Sequence, residues 1–367
     1  MEVSSELGRL RRLHRLRALK PAAGLDFTSN DYLGLASHPA LREAISSALD
    51  NDRVVGAGGS RLLRGHHEAH EELEEFAAKF FSVERALYFG SGFIANFALF
   101  TTLAGRHDAV VFDERIHASV KEGIHAAPAA RYRAGHNDLQ SFADEIARAR
   151  NDGAREIFIA VESVYSMDGD LAPLQGLSAL AEESGATLVV DEAHATGIFG
   201  QRGRGLGEMC QTPRWITLHT CGKALGVSGA LVCAKSDVIE YLINKARPFI
   251  YSTAPPPFLA RAVKRALELV DEEPWRRERV LKLAALAHSE LNGEAQFAGS
   301  QIIPVIIGDD ETALSVADGV QKQGFDVRAI RPPTIPEGTS RLRVAIHATH
   351  SEDVIKELAA AIRSARK

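Results

Sequence analysis

The sequence predicts an α/β protein with a mostly parallel sheet flanked by helices, followed by a smaller C-terminal α+β domain. Three observations carry this expectation. Short apolar runs alternate with helical stretches between about residues 84 and 233; several of those runs are followed by Gly, Asp or Glu; and Pro255-Pro256-Pro257 interrupts the pattern before a different one begins. Strand followed by helix, repeatedly, is how parallel strands joined by crossover helices read in sequence.

The runs are Ala86-Leu87-Tyr88-Phe89, Ala109-Val110-Val111-Phe112, Ile157-Phe158-Ile159-Ala160-Val161, Thr187-Leu188-Val189-Val190, Trp215-Ile216-Thr217-Leu218 and Gly229-Ala230-Leu231-Val232. Gly90-Ser91-Gly92, Asp113, Glu162 and Asp191 each follow such a run, and ligands of open α/β sheets bind beyond the carboxyl ends of the strands. After the three prolines a long helical pattern rich in Ala, Leu, Arg and Glu runs to about residue 292. The remainder reads as strand from Gln301 to Ile307, helix from Glu311, strand from Phe325 to Ile330, strand from Arg341 to Ile346 and a closing helix from Glu352. The expected division is an N-terminal segment 1–38, a large domain 39–254 and a small domain 255–367.

At 367 residues, 45% hydrophobic and 25% charged, the chain can bury a large core. A net charge of -5 argues against a nucleic-acid scaffold, whose affinity would rest on cations meeting phosphates. Only the stretch Arg9 to Arg17 is strongly basic, and it is expected to be a helix lying on the body of the protein rather than a transit peptide. No apolar run approaches the roughly 20 residues that span a bilayer, so a cytoplasmic protein is expected. Cys210, Cys221 and Cys233 have neither the number nor the spacing of a disulfide framework or metal knuckle and are expected to be reduced thiols.

Lys223 lies among small residues in Thr220-Cys221-Gly222-Lys223-Ala224-Leu225-Gly226, after an apolar strand, with Asp191 at the end of another. An amine so placed suits a Schiff base with an aldehyde cofactor whose ring nitrogen needs an anionic partner, and pyridoxal phosphate fits that description.

Seven ordered blocks extend the pattern over nearly the whole chain: Thr28 to Leu35 (TSNDYLGL), Gly56 to Arg61 (GAGGSR), Ser91 to Asn96 (SGFIAN), His117-Ala118-Ser119, Ser166 to Asp170 (SMDGD), Asp191 to Gly197 (DEAHATG) and Ile250 to Thr253 (IYST). With them the chain resembles the α-oxoamine synthases, fold-type I pyridoxal-phosphate transferases with an aspartate aminotransferase-like architecture. Ile330-Arg331-Pro332-Pro333, with its continuation to Arg343, is most similar to the members that join L-alanine to a pimeloyl thioester, carried on coenzyme A or on a carrier protein. The resemblance implies a homodimer with shared active sites.

Residue by residue, it implies that Lys223 holds the cofactor and moves the α-proton, Asp191 pairs with the ring nitrogen, His194 meets the phenolic oxygen and His117 stacks on the ring. Ser91, Gly92 and Phe93 would cradle the phosphate at the start of the helix containing Asn96, where free N–H groups and the helix dipole favour an anion. Thr220 would add a hydroxyl, Ser166 a cofactor contact and Thr253 a phosphate contact from the partner subunit. Arg331 would bind the amino-acid carboxylate, with Asn30 as a second contact. The family's early arginine falls on Arg11, Arg12, Arg15 or Arg17.

Other readings compete. Asp-Glu-Ala-His suggests a nucleoside-triphosphatase box, but no phosphate loop accompanies it; a cofactor-free nucleotide or nucleic-acid module would yield a colourless protein. A same-fold aminotransferase, or a synthase using glycine or serine or another acyl chain, are nearer rivals. His66-His67-Glu68-Ala69-His70 is not His-Glu-x-x-His and reads as a solvated helix start, with no metal expected. Arg61 and Arg64 are expected to alter the acyl or coenzyme site, and Cys221 to confer sensitivity to thiol reagents.

Overall fold

The computed structural model describes residues 3–210 and 212–366. Its strands are β1 Leu25–Asp26, β2 Arg85–Phe89, β3 Ala109–Asp113, β4 Ala130–Ala134, β5 Ile157–Glu162, β6 Thr187–Asp191, β7 Trp215–Thr220, β8 Ala230–Ala234, β9 Ile302–Gly308, β10 Phe325–Asp326, β11 Arg328–Ile330 and β12 Ser340–Ala345.

The larger of two compact units holds Leu33–Ser166 and Leu171–Arg277. Its seven-stranded sheet has the order β2-β8-β7-β6-β5-β3-β4, in which β8 runs antiparallel to both neighbours and the other pairings are parallel. All residues of β3, β5 and β8 are buried, as expected of strands covered on both faces. One face packs Phe158, Ala160 and Val189 against Ala95, Leu99 and Ile124. The other packs Ile157, Ile159 and Leu188 against Phe142, Leu177 and Ala181. The edge strand β4, Ala-Arg-Tyr-Arg-Ala, escaped the sequence reading because it buries only Tyr132 and Ala134 and carries two arginines.

The smaller unit gathers the chain up to Tyr32, Met167–Asp170 and the chain from Glu278. Here β11-β12-β9 form an antiparallel sheet and β1 pairs with β10 in parallel. Its core unites Phe27 with Leu283, Val305, Val316, Leu342, Val344 and Leu358. The domain boundary expected at Pro255 is therefore displaced. The helix Pro257–Glu272, started by Pro257 in its first turn, packs on the helices Pro39–Asp52 and Glu68–Phe81 and belongs to the larger unit. A second helix, Trp275–Asn292, starts after Pro274, so the long helical pattern is two helices. The N-terminal segment is no separate part either, because pairing with a strand 300 residues away leaves no local trace in sequence.

Of the basic stretch only residues 9–12 are helical, as the end of a helix Val3–Arg12 that buries none of its residues and in which Arg9 pairs with Glu6; residues 13–17, expected to continue it, lie outside the helix. Among the described residues no helix is long and apolar enough to cross a membrane.

Candidate active site

Lys223 sits in a tight loop between β7 and β8. The Cys221 N–H donates to Gly229 O (2.8 Å), the Val227 N–H to Cys221 O (2.9 Å) and the Gly226 N–H to Lys223 O (2.8 Å). Gly226 closes the loop with φ +66, and a Cβ there would lie 2.4 Å from the Ala36 backbone nitrogen, so no other residue fits without movement. Lys223 Nζ lies 2.7 Å from His194 Nε2, and the His194 ring is buried three residues beyond the end of β6.

Asp191 ends β6. Its Oδ2 accepts from Asn96 Nδ2 at 2.7 Å and its Oδ1 from the Ala193 N–H at 2.9 Å. The same Asn96 amide reaches Ser119 Oγ (3.0 Å), which lies 2.8 Å from His117 Nδ1. Because Nδ1 also accepts from the Ser119 N–H at 3.2 Å, the neutral His117 ring carries its proton on Nε2. Burial, opposed by Asp191 and helped by Lys223, pulls the His117 pKa below its ordinary value and keeps that ring uncharged.

Ser91 caps the helix Gly92–Leu103, its Oγ accepting from the Ile94 N–H at 3.2 Å. That leaves the Gly92 and Phe93 N–H groups at the helix mouth without intrahelical partners. A Cβ on Gly92 would come within 3.4 Å of Thr220 Oγ1, so the glycine and the threonine form one cradle. Gly92, Phe93, Asn96, His117, Asp191, Thr220 and Lys223 all line a cavity of about 140 Å³ within the larger unit.

Two further carboxyl groups, named in the sequence only as part of strand ends and motifs, are buried here. Glu162 lines the cavity, and burial together with Asp191 pushes its carboxyl up to about 8. Its Oε2 accepts from the Ser166 N–H at 3.2 Å, which is how Ser166 meets the site. Glu192, raised by burial to about 7, accepts from Ser163 Oγ (2.7 Å) and from the Leu206 and Gly207 N–H groups, and so ties down the loop beyond the cavity.

Thr253 lies on an exposed segment and is not among the cavity residues. In the smaller unit Arg331 donates to His14 O and shares a pocket with Arg15, Arg17 and Thr334. This singles out Arg15 and Arg17 among the early arginines. Arg15 is paired with Asp310 and Glu337, while Arg17 donates to Thr334 Oγ1 at 3.1 Å. Asn30 Oδ1 accepts from Arg343 (3.0 Å) and Tyr32 (2.9 Å), which orients its amide nitrogen for donation.

Three expectations need correction. Cys221 is 0% exposed and burial pushes its thiol far above the ordinary range, so it lacks the thiolate that reagents attack. Arg61 is buried in a two-pronged pair with Glu74 (2.9 and 3.0 Å) beneath Phe249, which makes it structural; only Arg64 is exposed. The histidine cluster is only partly solvated: His67 caps the helix Glu68–Phe81, while His70 is buried against Pro255 O at 2.9 Å.

The donor set fits pyridoxal phosphate: an amine at Lys223, an anion at Asp191, a flat neutral ring at His117, and free N–H groups beside a glycine where a Cβ would crowd the cradle. Comparisons with known proteins agree. The aminotransferase class I and II family matches residues 22–362. An 8-amino-7-oxononanoate synthase from Chromobacterium violaceum is 42% identical over 95% of this chain and 94% of its own length. One from Geobacter sulfurreducens is 40% identical over 98% and 96%. Among solved structures, a serine palmitoyltransferase variant from S. paucimobilis with PLP and myriocin bound superposes with TM-score 0.92 at 26% identity, over 100% of this chain and 98% of that one. The Francisella tularensis 8-amino-7-oxononanoate synthase gives 0.79 at 30% identity, over 93% and 97%. This chain belongs to the class I and II aminotransferase family, as a pyridoxal-phosphate enzyme of its α-oxoamine synthase branch.

Proposed function

We propose that the protein condenses L-alanine with a pimeloyl thioester, releasing carbon dioxide and the free thiol and giving 8-amino-7-oxononanoate, a step of biotin biosynthesis. The observation that carries the chemistry is the convergence of Lys223, Asp191 and His117 on one cavity; the relatives' names support the product, and the resemblance to the α-oxoamine synthases supports the substrates. When bound, pyridoxal phosphate supplies an electron sink for the negative charge that develops at the amino-acid α-carbon.

Lys223 Nζ would hold the cofactor and, once exchanged for the substrate amine, take the α-proton. His194 Nε2, 2.7 Å away, directs that amine and stands ready for the cofactor's phenolic oxygen. Asp191, its orientation locked by Asn96, would pair its carboxylate with the ring nitrogen. His117 offers a flat uncharged surface, so it stacks without repelling the cationic ring. Ser91, Gly92, Phe93 and Thr220 take the phosphate, and Ser166 the ring oxygen or phosphate. Arg331 and Asn30 take the alanine carboxylate, where a guanidinium binds both oxygens and leaves the α-bonds free. Decarboxylation is easy once the ketone is in place, so the remaining work is orientation and exclusion of water.

A homodimer is part of this reading. Thr253 serves the partner's phosphate site, and the exposed Val55, Leu62, Leu63, Phe93 and Tyr251 supply an apolar face for a second copy. Mass spectrometry of the product from pimeloyl-CoA with alanine, and with glycine and serine in parallel, tests the assignment. Product from alanine is expected to dominate; a longer-chain acyl donor used with serine in preference would sink it. Lys223→Ala is expected to abolish turnover and the visible absorption of the lysine-linked cofactor.

A further inference from the structure

Glu162 and Asp191 end neighbouring parallel strands at matched register, so their side chains leave the sheet side by side on the same face. Both are buried and both line the cavity. Their surroundings differ. Asp191 is supplied with donors by Asn96 and Ala193. On Glu162, Oε2 accepts from the Ser166 N–H, whereas Oε1 is buried without a well-formed hydrogen bond, the His117 backbone N–H acting on the carboxyl only weakly. A charged carboxylate oxygen without a donor is costly in a dry site, and a carboxylic acid is much less so.

We propose that Glu162 is kept as a neutral carboxylic acid and acts as a positioning residue, leaving Asp191 as the one ionised carboxylate of the cavity while holding Ser166 beside it. This rests on the cofactor reading of the same site. The groups facing Glu162 are Asp191, Lys223, the His117 backbone N–H and, across the site, Lys121. Burial and Asp191 favour the protonated form; Lys223 and the N–H groups oppose them without prevailing, and the carboxyl titrates near 8. A second negative charge there would compete with Asp191 for the cationic ring and would repel the phosphate dianion.

Glu162→Gln tests this, because the amide keeps an acceptor for Ser166 and mimics the uncharged acid. The carboxyl titrates higher in the folded protein than in the unfolded chain. The folded state therefore holds a proton that the unfolded state releases, and wild-type stability falls as pH rises from the ordinary carboxylate range to about 8. Urea unfolding of the cofactor-free proteins should show the variant gaining on wild type by about tenfold in folding equilibrium constant per pH unit across that window, with Glu192 cancelling from the difference. Pyridoxal phosphate binding, followed by visible absorption, should be within about threefold of wild type at pH 7. Above pH 8 it should weaken in wild type but not in the variant.

A stability difference that is flat with pH, a variant that fails to fold at pH 7, or cofactor binding lost at every pH would each overturn the proposal. As a second measurement, infrared spectra of the cofactor-free wild type minus Glu162→Gln at pH 6 and 9, in which Glu192 cancels, should show a protonated carboxyl band that is lost at the higher pH; its absence from the difference at pH 6 would also overturn it. The unfolding arm needs no cofactor. If neither protein binds pyridoxal phosphate while the pH-dependent stability difference persists, the cofactor reading fails and the protonation of Glu162 stands.

Discussion

At the scale of single residues, the site is a relay in which each group fixes the next. Asn96 is central: one amide nitrogen meets both Asp191 and Ser119, and Ser119 sets the proton position on His117. Asn96→Ala should remove a charge-assisted hydrogen bond worth about 1.5–3 kcal/mol, weakening pyridoxal phosphate binding in an absorption titration while the protein remains folded. Cys221 gives the opposite kind of prediction. Although two residues from Lys223, it should resist thiol reagents in the native protein, and both buried cysteines, Cys221 and Cys233, should react only after unfolding. The motif around Lys223 revealed its chemistry because an amine in a small-residue loop is uncommon. Glu162 went without a role because an acid at a strand end looks the same whether it is solvated or buried beside another carboxylate.

At the scale of elements, strand ends and helix starts do the positioning. β5, β6 and β7 deliver Glu162, Asp191 and Thr220 to one edge of the sheet, and the capped helix Gly92–Leu103 points its free N–H groups at the same place. Ser91→Ala should cost about 1 kcal/mol in thermal unfolding and also weaken phosphate-dependent cofactor binding, since cap and cradle share the residue. Gly226→Ala should cost about 1–3 kcal/mol, because it combines a left-handed backbone with a Cβ pressed on Ala36. Its signature is a lower midpoint together with slower modification of Lys223 by free pyridoxal phosphate. The six apolar runs were legible as strands because strands covered on both faces are apolar almost throughout. β4 was not, because only two of its five residues are buried and it carries two arginines, whereas the other edge, β2, is covered by the helix Glu68–Phe81.

At the scale of the whole molecule, the proposed homodimer can be tested at the exposed apolar residues of the larger unit. Leu63→Glu at a residue 84% exposed should barely alter the stability of an isolated subunit. In light scattering it should shift a dimer towards monomer and reduce turnover as sites lose the partner's Thr253; a variant that stays dimeric would move the interface elsewhere.

The sequence by itself determined the alternating architecture, the cofactor lysine, its aspartate partner and the family, because periodicity and short motifs are written in residues close together along the chain. Tertiary structure alone decided that β1 pairs with β10, that Arg15 and Arg17 join Arg331, that Arg61 is consumed by Glu74, and that Glu162 lies beside Asp191. Pairing, burial and the loss of water set these outcomes, and all three depend on segments that meet only once the chain has folded.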